Sequence, residues 1–428
     1  MATTTVVRTG LRATVVQGVT WAWSNAWLWS AGSQALTSGL SLITSIIAAR
    51  MLGVDRFGDF VLMQAGVQVL VGLQSQLISS PMAIIAGERK RSRHYFGAIT
   101  RAILIMALLI GAAAAAYSFT LNRPGGHTAL ALASFIFAAG IVVQDATKRI
   151  LFALERPRSA FLCELLRQIL FFGFLVIAYW RFGASTEMLL VCIGLSMIIA
   201  AWPLLLFLRK SLRGDLRRAI AFRHWKLGSW LMLVVLVSMA HEQFVTIFAG
   251  AWIGEQAAAG LRSAQVLLGP MLVFMSSLEN IVPRRAAGHF RSRGEAALSG
   301  YLWRILWWSE LPVILVCLGI IVYARELLVL FFGQSFATFA PVVSIIAMGP
   351  PIILARELAS TYLRATGQTF GIFIAFTASS IATLAVIYPL VGQFSETGAA
   401  MAINVGHGVS TIFVIAAALK ARRAIRSA

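Results

Sequence analysis

The chain has 428 residues, of which 59% are hydrophobic and only 12% charged, and its mean hydropathy is +0.82. This composition excludes a soluble globular protein, which would need roughly twice the charge to cover its surface. The formal net charge of +20 is compatible with nucleic-acid binding, but the basic residues are concentrated in alternate connections between apolar segments, which is typical of membrane topology instead.

Apolar segments long enough to cross a hydrocarbon core of about 30 Å follow one another along the chain. In chain order, the sequence predicts helices near 26–49, 59–86, 99–119, 129–147, 162–183, 187–208, 228–249, 261–282, 302–323, 340–362, 370–391 and 397–418. The stretches between them are at most roughly twenty residues long, too short to hold a core of their own. We therefore expect an all-α polytopic membrane protein with about twelve transmembrane helices.

The distribution of basic residues predicts the topology. The N-terminus, the even-numbered connections and the C-terminal tail hold 28 of the 36 Lys and Arg residues, whereas the odd-numbered connections hold six. Positively charged loops remain in the cytoplasm. We therefore expect a multi-pass protein of the bacterial inner (plasma) membrane, with both termini in the cytoplasm and an even number of helices.

A faint internal repeat divides the chain into halves. The segment AARMLG at 48–53 resembles AGAWIG at 249–254, and a glutamine follows each segment eleven residues later, at Gln64 and Gln265. Two halves of the same orientation imply a pseudo-twofold axis along the membrane normal and a central cavity between them, which we expect predicted helices 1, 2, 7 and 8 to line. We expect an N-terminal six-helix bundle at 1–208, a cytoplasmic linker at 209–227, and a C-terminal six-helix bundle with a basic cytoplasmic tail at 228–428.

Polar side chains follow one face of each of the first two helices. The first helix carries a row at four-residue spacing: Ser33, Thr37, Ser41 and Ser45. This row fits either close helix packing or the wall of a hydrated site. The second helix carries a single stripe: Gln64, Gln68, Ser75 and Ser79. Glutamine is too large to serve close packing and too polar to face lipid, so this stripe predicts a water-lined cavity.

Ionisable side chains inside predicted helices are functional candidates, because charge is costly within a membrane. They are Asp145, Glu164, Arg167, His241, Glu242, Glu279, Glu310, Arg356, Glu357 and His407. Several lie near cytoplasmic helix ends, where they can snorkel or pair locally, as Glu164 and Arg167 can at i, i+3. Glu242, Glu310 and His407 lie deeper, and we take them as candidates for coupling to protons or cations.

Other motifs narrow the function. The Pro350–Pro351 pair removes consecutive backbone donors and predicts a break in the helix at 340–362. No G-x-x-x-x-G-K-[ST] loop is present for ATP, and His241-Glu242 lacks a second histidine at the spacing that zinc needs. The three cysteines lie in predicted helices without metal-like spacing. We expect no cofactor, no metal site and no catalytic residues.

The connection between the first two helices carries a family signature. The string AARMLGVDRFG at 48–58 resembles the "ARxLGxxxFG" signature of bacterial polysaccharide and lipid-linked oligosaccharide flippases, in the multidrug/oligosaccharidyl-lipid/polysaccharide exporter superfamily. Further similar pieces follow in order: SPM at 80–82, QVLLGP at 265–270, LFFG at 330–333, RATG at 364–367 and GAA at 398–400. The string DRFG also mimics the D-R-x-G of major facilitator transporters, but there it follows the second helix in the cytoplasm.

This resemblance implies a flippase that moves a polyprenyl-pyrophosphate-linked oligosaccharide from the cytoplasmic to the periplasmic leaflet, for cell-surface or exopolysaccharide biosynthesis. Arginine binds phosphate through forked hydrogen bonds. The candidate substrate-binding residues are the arginines at or inside helix ends and the two glutamines of the stripe: Arg50, Arg167, Arg262, Arg356, Gln64 and Gln68. The expected partners are the lipid-linked glycan, membrane lipids and other polysaccharide-assembly proteins; no nucleic acid is expected, and the protein is expected to be a monomer.

Two other functions compete with the flippase. A cation- or proton-coupled small-molecule or drug antiporter of the same fold would favour an anionic pocket, and the helix-end arginines argue against one. A membrane-embedded enzyme of glycan assembly would need a catalytic site, for which the connections between helices are too short.

Overall fold

The structure, a computed structural model, describes residues 26–82, 85, 93–120, 127–209, 218–239 and 243–427. Within these residues the chain forms helices and no strands, because a helix pairs its own backbone groups where water is absent. The first half contains α1 (Ala26–Gln74), a π-helical segment (Ser75–Ser79), α2 (Arg93–Ser118), α3 (His127–Ala153), α4 (Pro157–Phe182) and α5 (Thr186–Leu208).

The second half contains more and shorter elements. They are α6 (Arg218–Met239), α7 (Gln243–Trp252), α8 (Glu255–Leu267), α9 (Gly269–Val322), α10 (Ala324–Phe332), a 3-10 helix (Gln334–Phe339), α11 (Ala340–Ile346), α12 (Gly349–Ala365) and α13 (Phe370–Ser427). The sequence did not predict α10 or the 3-10 helix, which lie in the expected connection after 323.

The helices confirm a multi-pass, all-α membrane protein. Among the described residues, eight helical spans are long and apolar enough to cross a membrane, and α6 with α7, bent by 51°, form a ninth. Three described helices, of 49, 54 and 58 residues, are more than twice as long as the roughly twenty residues that a bilayer requires, and each contains one non-helical residue, at Gly53 in α1, Gly294 in α9 and Ser395 in α13. The count of twelve stays a prediction.

Glycine allows the sharp break inside α1. Gly53 has φ 71° and ψ −179°, a conformation that side chains with a Cβ rarely adopt. The sequence predicted a longer connection at 50–58, but the flanking residues remain helical, so the turn is confined to this glycine. The predicted break in the helix at 340–362 is confirmed, because α11 ends at Ile346 and α12 begins at Gly349.

The connections at 50–58, 183–186, 253–256 and 330–339 meet at one end of the molecule, called here the far end. There Gln256 Nε2 donates to Asp55 Oδ1 at 2.8 Å, and the rings of Phe57 and Phe336 lie 5.9 Å apart. One buried apolar core runs from the first half into residues 245–268 and 324–347 of the second. The two halves are therefore packed together at the far end.

The opposite end, called here the near end, is built differently. A second core, with members between 271 and 317, at 354–375 and at 414–421, contains only residues of the second half. The halves still touch where the start of α6 packs on the π-helical segment, since a Cβ at Gly228 would lie 2.8 Å from the Gln76 carbonyl oxygen. The space between the halves therefore lies on the other side, between α1 and α9.

Candidate functional site

A cavity of about 570 Å³, lined by both polar and apolar side chains, separates α1 from α8 and α9. We call it the central cleft. One wall includes Thr37, Ser41 and Ser45 from the serine and threonine row of α1, called here the hydroxyl row. The opposite wall is formed by the C-terminal part of α8 and the start of α9. Its polar lining residues are Thr37, Ser38, Ser41, Ser45, Arg262, Gln265 and Ser276. The described residues of predicted helix 7 do not contribute to this lining, although the sequence predicted that they would.

A second cavity, of about 200 Å³, lies on the other face of α1 inside the first half. We call it the side pocket. Its polar lining residues are Thr37, Ser41, Thr44, Ser45, Gln64, Gln68 and Arg167. Thr37, Ser41 and Ser45 line both cavities. Thr37, Ser41 and Ser45 therefore form a wall between two cavities rather than a surface for close helix packing.

The other half of the glutamine stripe lies elsewhere. Ser75 and Ser79 are buried in the π-helical segment and line neither cavity, so the stripe does not run continuously along one water-filled wall. A π-helical turn takes more residues than an α-helical one, which rotates Ser79 off the face that Gln64 and Gln68 share. The start of α6 then covers this segment.

Arg262 is the charged residue that lines the central cleft. The preceding turn of α8 is made of small residues at 257–260 and is fully buried, which holds Arg262 against α1. Its Nε is buried without a hydrogen-bond partner, and no ion pair with a described carboxylate is formed. Leaving a buried donor unsatisfied costs about 1–3 kcal/mol. The cleft thus presents a cation with unused donor capacity.

Arg167 is held differently. Its guanidinium pairs with Glu164 on the same helix, which confirms the pairing that the i, i+3 spacing predicts. Gln144 and Gln168 each donate to the same carboxylate at 3.3 Å. The carboxylate therefore orients Arg167 at the edge of the side pocket while neutralising its charge.

Lys148 lies one residue beyond the predicted end of the helix at 129–147, so the sequence predicted that it would lie in a cytoplasmic connection. Because α3 continues to Ala153, this residue lies within the helix, and its Nζ donates to Thr37 Oγ1 at 3.0 Å. Thr37 lines both cavities. A lysine one turn after Gln144 on a polar helix face is the signal by which the sequence could have placed it.

Glu164 offers a test of this network. Removing one member of a buried ion pair leaves the other charge uncompensated, at a cost of about 3–5 kcal/mol. Glu164→Ala should therefore lower the thermal unfolding midpoint of purified protein strongly. The matched control is Asp145→Ala, since Asp145 pairs with Arg149 at 2.8 Å and the two side chains are 28% and 43% exposed, against 3% and 11% for Glu164 and Arg167; pairs that reach solvent contribute about 0–1 kcal/mol. Equal midpoints for the two variants would show that the Glu164 carboxylate is not a structural charge.

Arg50 lies at the far end, away from both cavities. Its Nε donates to the Phe331 carbonyl at 2.7 Å, and its Nη2 donates to the Leu330 carbonyl. These are terminal carbonyls of α10, which have no partner within their own helix. Arg50 therefore joins the first half to the second through a helix cap.

Arg356 and His407 are brought together in the second half. Arg356 Nη1 lies 3.4 Å from His407 Nδ1 and 3.3 Å from Ser410 Oγ, and its Nη2 pairs with Glu357 at 3.0 Å. The guanidinium also lies 5.1 Å from the centre of the Phe376 ring. This buried cluster lines neither the cleft nor the side pocket.

The remaining ion-coupling candidates are separated from this cluster. Glu310 is half-buried in α9, and its Oε2 has no hydrogen-bond partner. Glu242 lies outside the described residues. Within the part of the chain that is described, no three His, Cys, Asp or Glu side chains come together in a group able to hold a metal ion.

A family model described as polysaccharide biosynthesis protein matches residues 24–286, more than half of the chain. The chain belongs to this family. No curated protein sequence matches it. The matched region includes the whole first half and the α8 segment that carries Arg262, so both hydrated cavities lie mainly within it.

Solved structures share the fold of this polysaccharide biosynthesis family member. A lipid II flippase, MurJ, in an inward closed conformation matches with a TM-score of 0.72 at 14% identity, covering 92% of this chain and 90% of that one. An inward-facing multidrug resistance MATE family transporter of the MOP superfamily matches with a TM-score of 0.67 at 17% identity, covering 94% and 96%. A MOP superfamily transporter from Pyrococcus furiosus matches with a TM-score of 0.61 at 16% identity, with the same coverage.

These matches confirm the family resemblance of the 48–58 signature. At such low identity the structural likeness shows the fold alone. The fold is that of membrane transporters of the MOP superfamily and of a lipid II flippase.

Proposed function

We propose that this protein is a flippase that moves a polyprenyl-pyrophosphate-linked oligosaccharide from the cytoplasmic to the periplasmic leaflet of a bacterial inner membrane. The observation that carries the proposal is Arg262, a cation with an unpaired buried donor in a cleft lined by hydroxyl and amide groups. A pyrophosphate supplies the anionic oxygens that such an arginine lacks, and charge-assisted pairs of this kind are the stronger hydrogen bonds.

The cleft lining suits a sugar headgroup. Each buried hydroxyl without a partner costs several kcal/mol in hydrocarbon, so an oligosaccharide needs a continuous set of donors and acceptors to cross. The hydroxyl row of α1 supplies this on one wall, and Gln265 and Ser276 supply it on the other. The side pocket adds Gln64 and Gln68 behind the same row.

The walls of the cleft also suit a lipid tail. Leu42 lines the cleft from α1 and is half-buried, and Leu272 and Val273, which line it from α9, are 42% and 41% exposed. Apolar side chains on both walls, beside the hydroxyl and amide groups, match a substrate whose headgroup enters while its tail stays in the bilayer. We propose that α1 and α9 form the entrance.

Arg50, Arg167 and Arg356 take different parts in this proposal. Arg167 lies beside the side pocket and is proposed as a second contact for the pyrophosphate or sugar. We propose that the substrate contacts Arg50 and Arg356 in other conformations, in which these arginines have separated from their present partners. Single Arg→Ala variants of each, tested for export, separate these roles from purely structural ones.

Drug or cation export is the second candidate, favoured by the likeness to a multidrug resistance transporter. The polarity of the cleft disfavours it, because the described charged lining residue of each cavity is an arginine. For the Pyrococcus furiosus MOP transporter, a reversed polarity of the binding pocket is said to suggest a different function. The same criterion here supports an anionic substrate.

Reconstitution in sealed vesicles tests the proposal. Purified protein should accelerate the movement of a labelled polyprenyl-pyrophosphate oligosaccharide to the opposite leaflet, detected by its exposure to an added glycosidase. An organic dye cation, loaded into parallel vesicles, should not be moved. An unchanged substrate mass in the vesicles before the glycosidase is added excludes a glycan-assembly enzyme. Dye movement without glycan movement would contradict the flippase and support the antiporter.

Ion coupling is a separate prediction. We propose that Glu310, His407 and Glu242 bind a proton or cation that returns the empty carrier. Glu242→Gln, Glu310→Gln and His407→Ala should each alter the dependence of flipping on imposed pH or sodium gradients. If all three variants keep the wild-type dependence, ion coupling through these residues is excluded. The membrane potential, under which one charge moved through about 100 mV is worth about 2.3 kcal/mol, or removal of the substrate outside then drives the cycle.

A further inference from the structure

A third cavity lies away from the transport path, on the surface of the second half. It is a groove of about 640 Å³ between α9, α12 and α13, within the size range of small-molecule sites. Its floor is apolar, with Leu302, Leu306, Leu358 and Leu419 among its residues. It shares no lining residue with the central cleft or the side pocket.

One end of this groove is basic. Arg422 and Arg426 on α13 line it, and their Nε atoms lie 3.0 Å and 2.9 Å from the carboxylate of Glu295. Two guanidinium groups facing one carboxylate leave a positive charge uncompensated. Both arginines are about half-exposed, so most of their donors remain available to a ligand.

A buried polar group marks the same end. Tyr362 lines the groove from α12 and is only 6% exposed. Its hydroxyl lies near Glu295 but forms no hydrogen bond of normal geometry. A buried donor without a partner costs about 1–3 kcal/mol, and a ligand oxygen placed between this hydroxyl and the arginines would satisfy it.

The position of the groove indicates a lipid ligand. Trp303, on its rim, is 61% exposed, and Trp307 and Trp308 on the next turn are exposed as well. Exposed indoles concentrate at membrane interfaces. Basic pockets between transmembrane helices at the cytoplasmic surface bind anionic lipid headgroups.

We propose that this groove binds an anionic phospholipid of the leaflet at the near end. Arg422, Arg426 and the Tyr362 hydroxyl hold the phosphate, and the acyl chains lie on the leucine floor. The lipid joins α13 to α9 and α12, so it acts on the second half as a bound cofactor would, independently of the glycan that the cleft is proposed to carry.

Native mass spectrometry of the full-length protein tests this site. Delipidated protein is titrated with phosphatidylglycerol and, separately, with phosphatidylcholine of the same chains. We expect phosphatidylglycerol to bind at least about tenfold more tightly, and the Arg422→Gln/Arg426→Gln variant to lose this preference. Tyr362→Phe, which keeps the ring, should weaken phosphatidylglycerol binding several-fold. The matched control, Arg291→Gln/Arg293→Gln, removes two exposed arginines that do not line the groove and should bind as wild type.

Three results would overturn the proposal. The first is equal binding of the two phospholipids by wild-type protein. The second is an equal loss of preference in the control pair, which would show nonspecific attraction to a basic surface. The third is displacement of phosphatidylglycerol by a polyprenyl phosphate at equal concentration, which would assign the groove to the transported lipid. If the Arg422/Arg426 variant unfolds, Tyr362→Phe decides, because unchanged binding in that variant contradicts the site.

Discussion

Replacing Arg262 with alanine is expected to reduce flipping of a pyrophosphate-linked glycan by roughly 10- to 100-fold at low substrate concentration. One charge-assisted hydrogen bond contributes about 1.5–3 kcal/mol, and each 1.4 kcal/mol is about tenfold in affinity. Because Arg262 Nε has no partner in the described structure, its removal relieves an unsatisfied donor. The thermal unfolding midpoint should therefore stay unchanged or rise while transport falls.

This opposition between stability and activity separates a binding residue from a structural one. Arg262→Lys should also transport poorly, since a lysine lacks the planar fork. Arg325→Ala, which removes an exposed arginine of α10, is the control and should flip normally. If vesicles that contain the Arg262→Ala protein flip the glycan at the wild-type rate, Arg262 is not part of the substrate site.

Replacing Gly58 with leucine is expected to abolish transport by preventing closure of the far end. Gly58 lies so close to α8 that a Cβ there would overlap the carbonyl oxygen of Glu255, and that backbone cannot yield as a side chain can. Overpacking at such a contact costs about 1–3 kcal/mol or more. The halves should separate there and break the bond between Asp55 and Gln256.

Two measurements check this effect together. Transport should fall, and a cysteine introduced as Ala257→Cys, at a position that is fully buried in the closed far end, should become accessible to an impermeant thiol reagent in the Gly58→Leu protein only. Gly173→Leu is the matched control, because a Cβ at Gly173 meets nothing within 4 Å. Normal transport with an unreactive cysteine would show that the far end tolerates the added side chain.

Local patterns predicted the parts of the fold that depend on local chemistry. Hydropathy predicted an all-helical membrane protein, the proline pair predicted the break before Gly349, and the spacing of Glu164 and Arg167 predicted their pairing. The prediction that Gln64 and Gln68 line a cavity rested on the size and polarity of glutamine, which do not depend on the rest of the fold.

Features that depend on contacts between distant segments were not predictable in this way. The carbonyls that Arg50 binds are about 280 residues away along the chain, and His407 meets Arg356 across 51 positions. Lys148 was misplaced because the end of a helix is weakly encoded, and the six residues by which α3 continues beyond 147 moved its ammonium from a predicted loop to a hydrogen bond with Thr37. Arg262 Nε is unpaired because no acceptor from another part of the described chain lies beside it. The residues next to Arg262 in the sequence do not indicate this.

The cap that Arg50 provides for α10 links opening of the far end to water. In a transport cycle that separates the halves there, the carbonyls of Leu330 and Phe331 lose their donor, and the guanidinium loses two acceptors. Each group must then be hydrated, because a bare carbonyl is costly to leave unpaired. The open state thus takes up solvent that the closed state excludes. Osmolytes that are excluded from protein surfaces favour the less hydrated form, so the osmotic strength outside the membrane acts on the same equilibrium as the substrate.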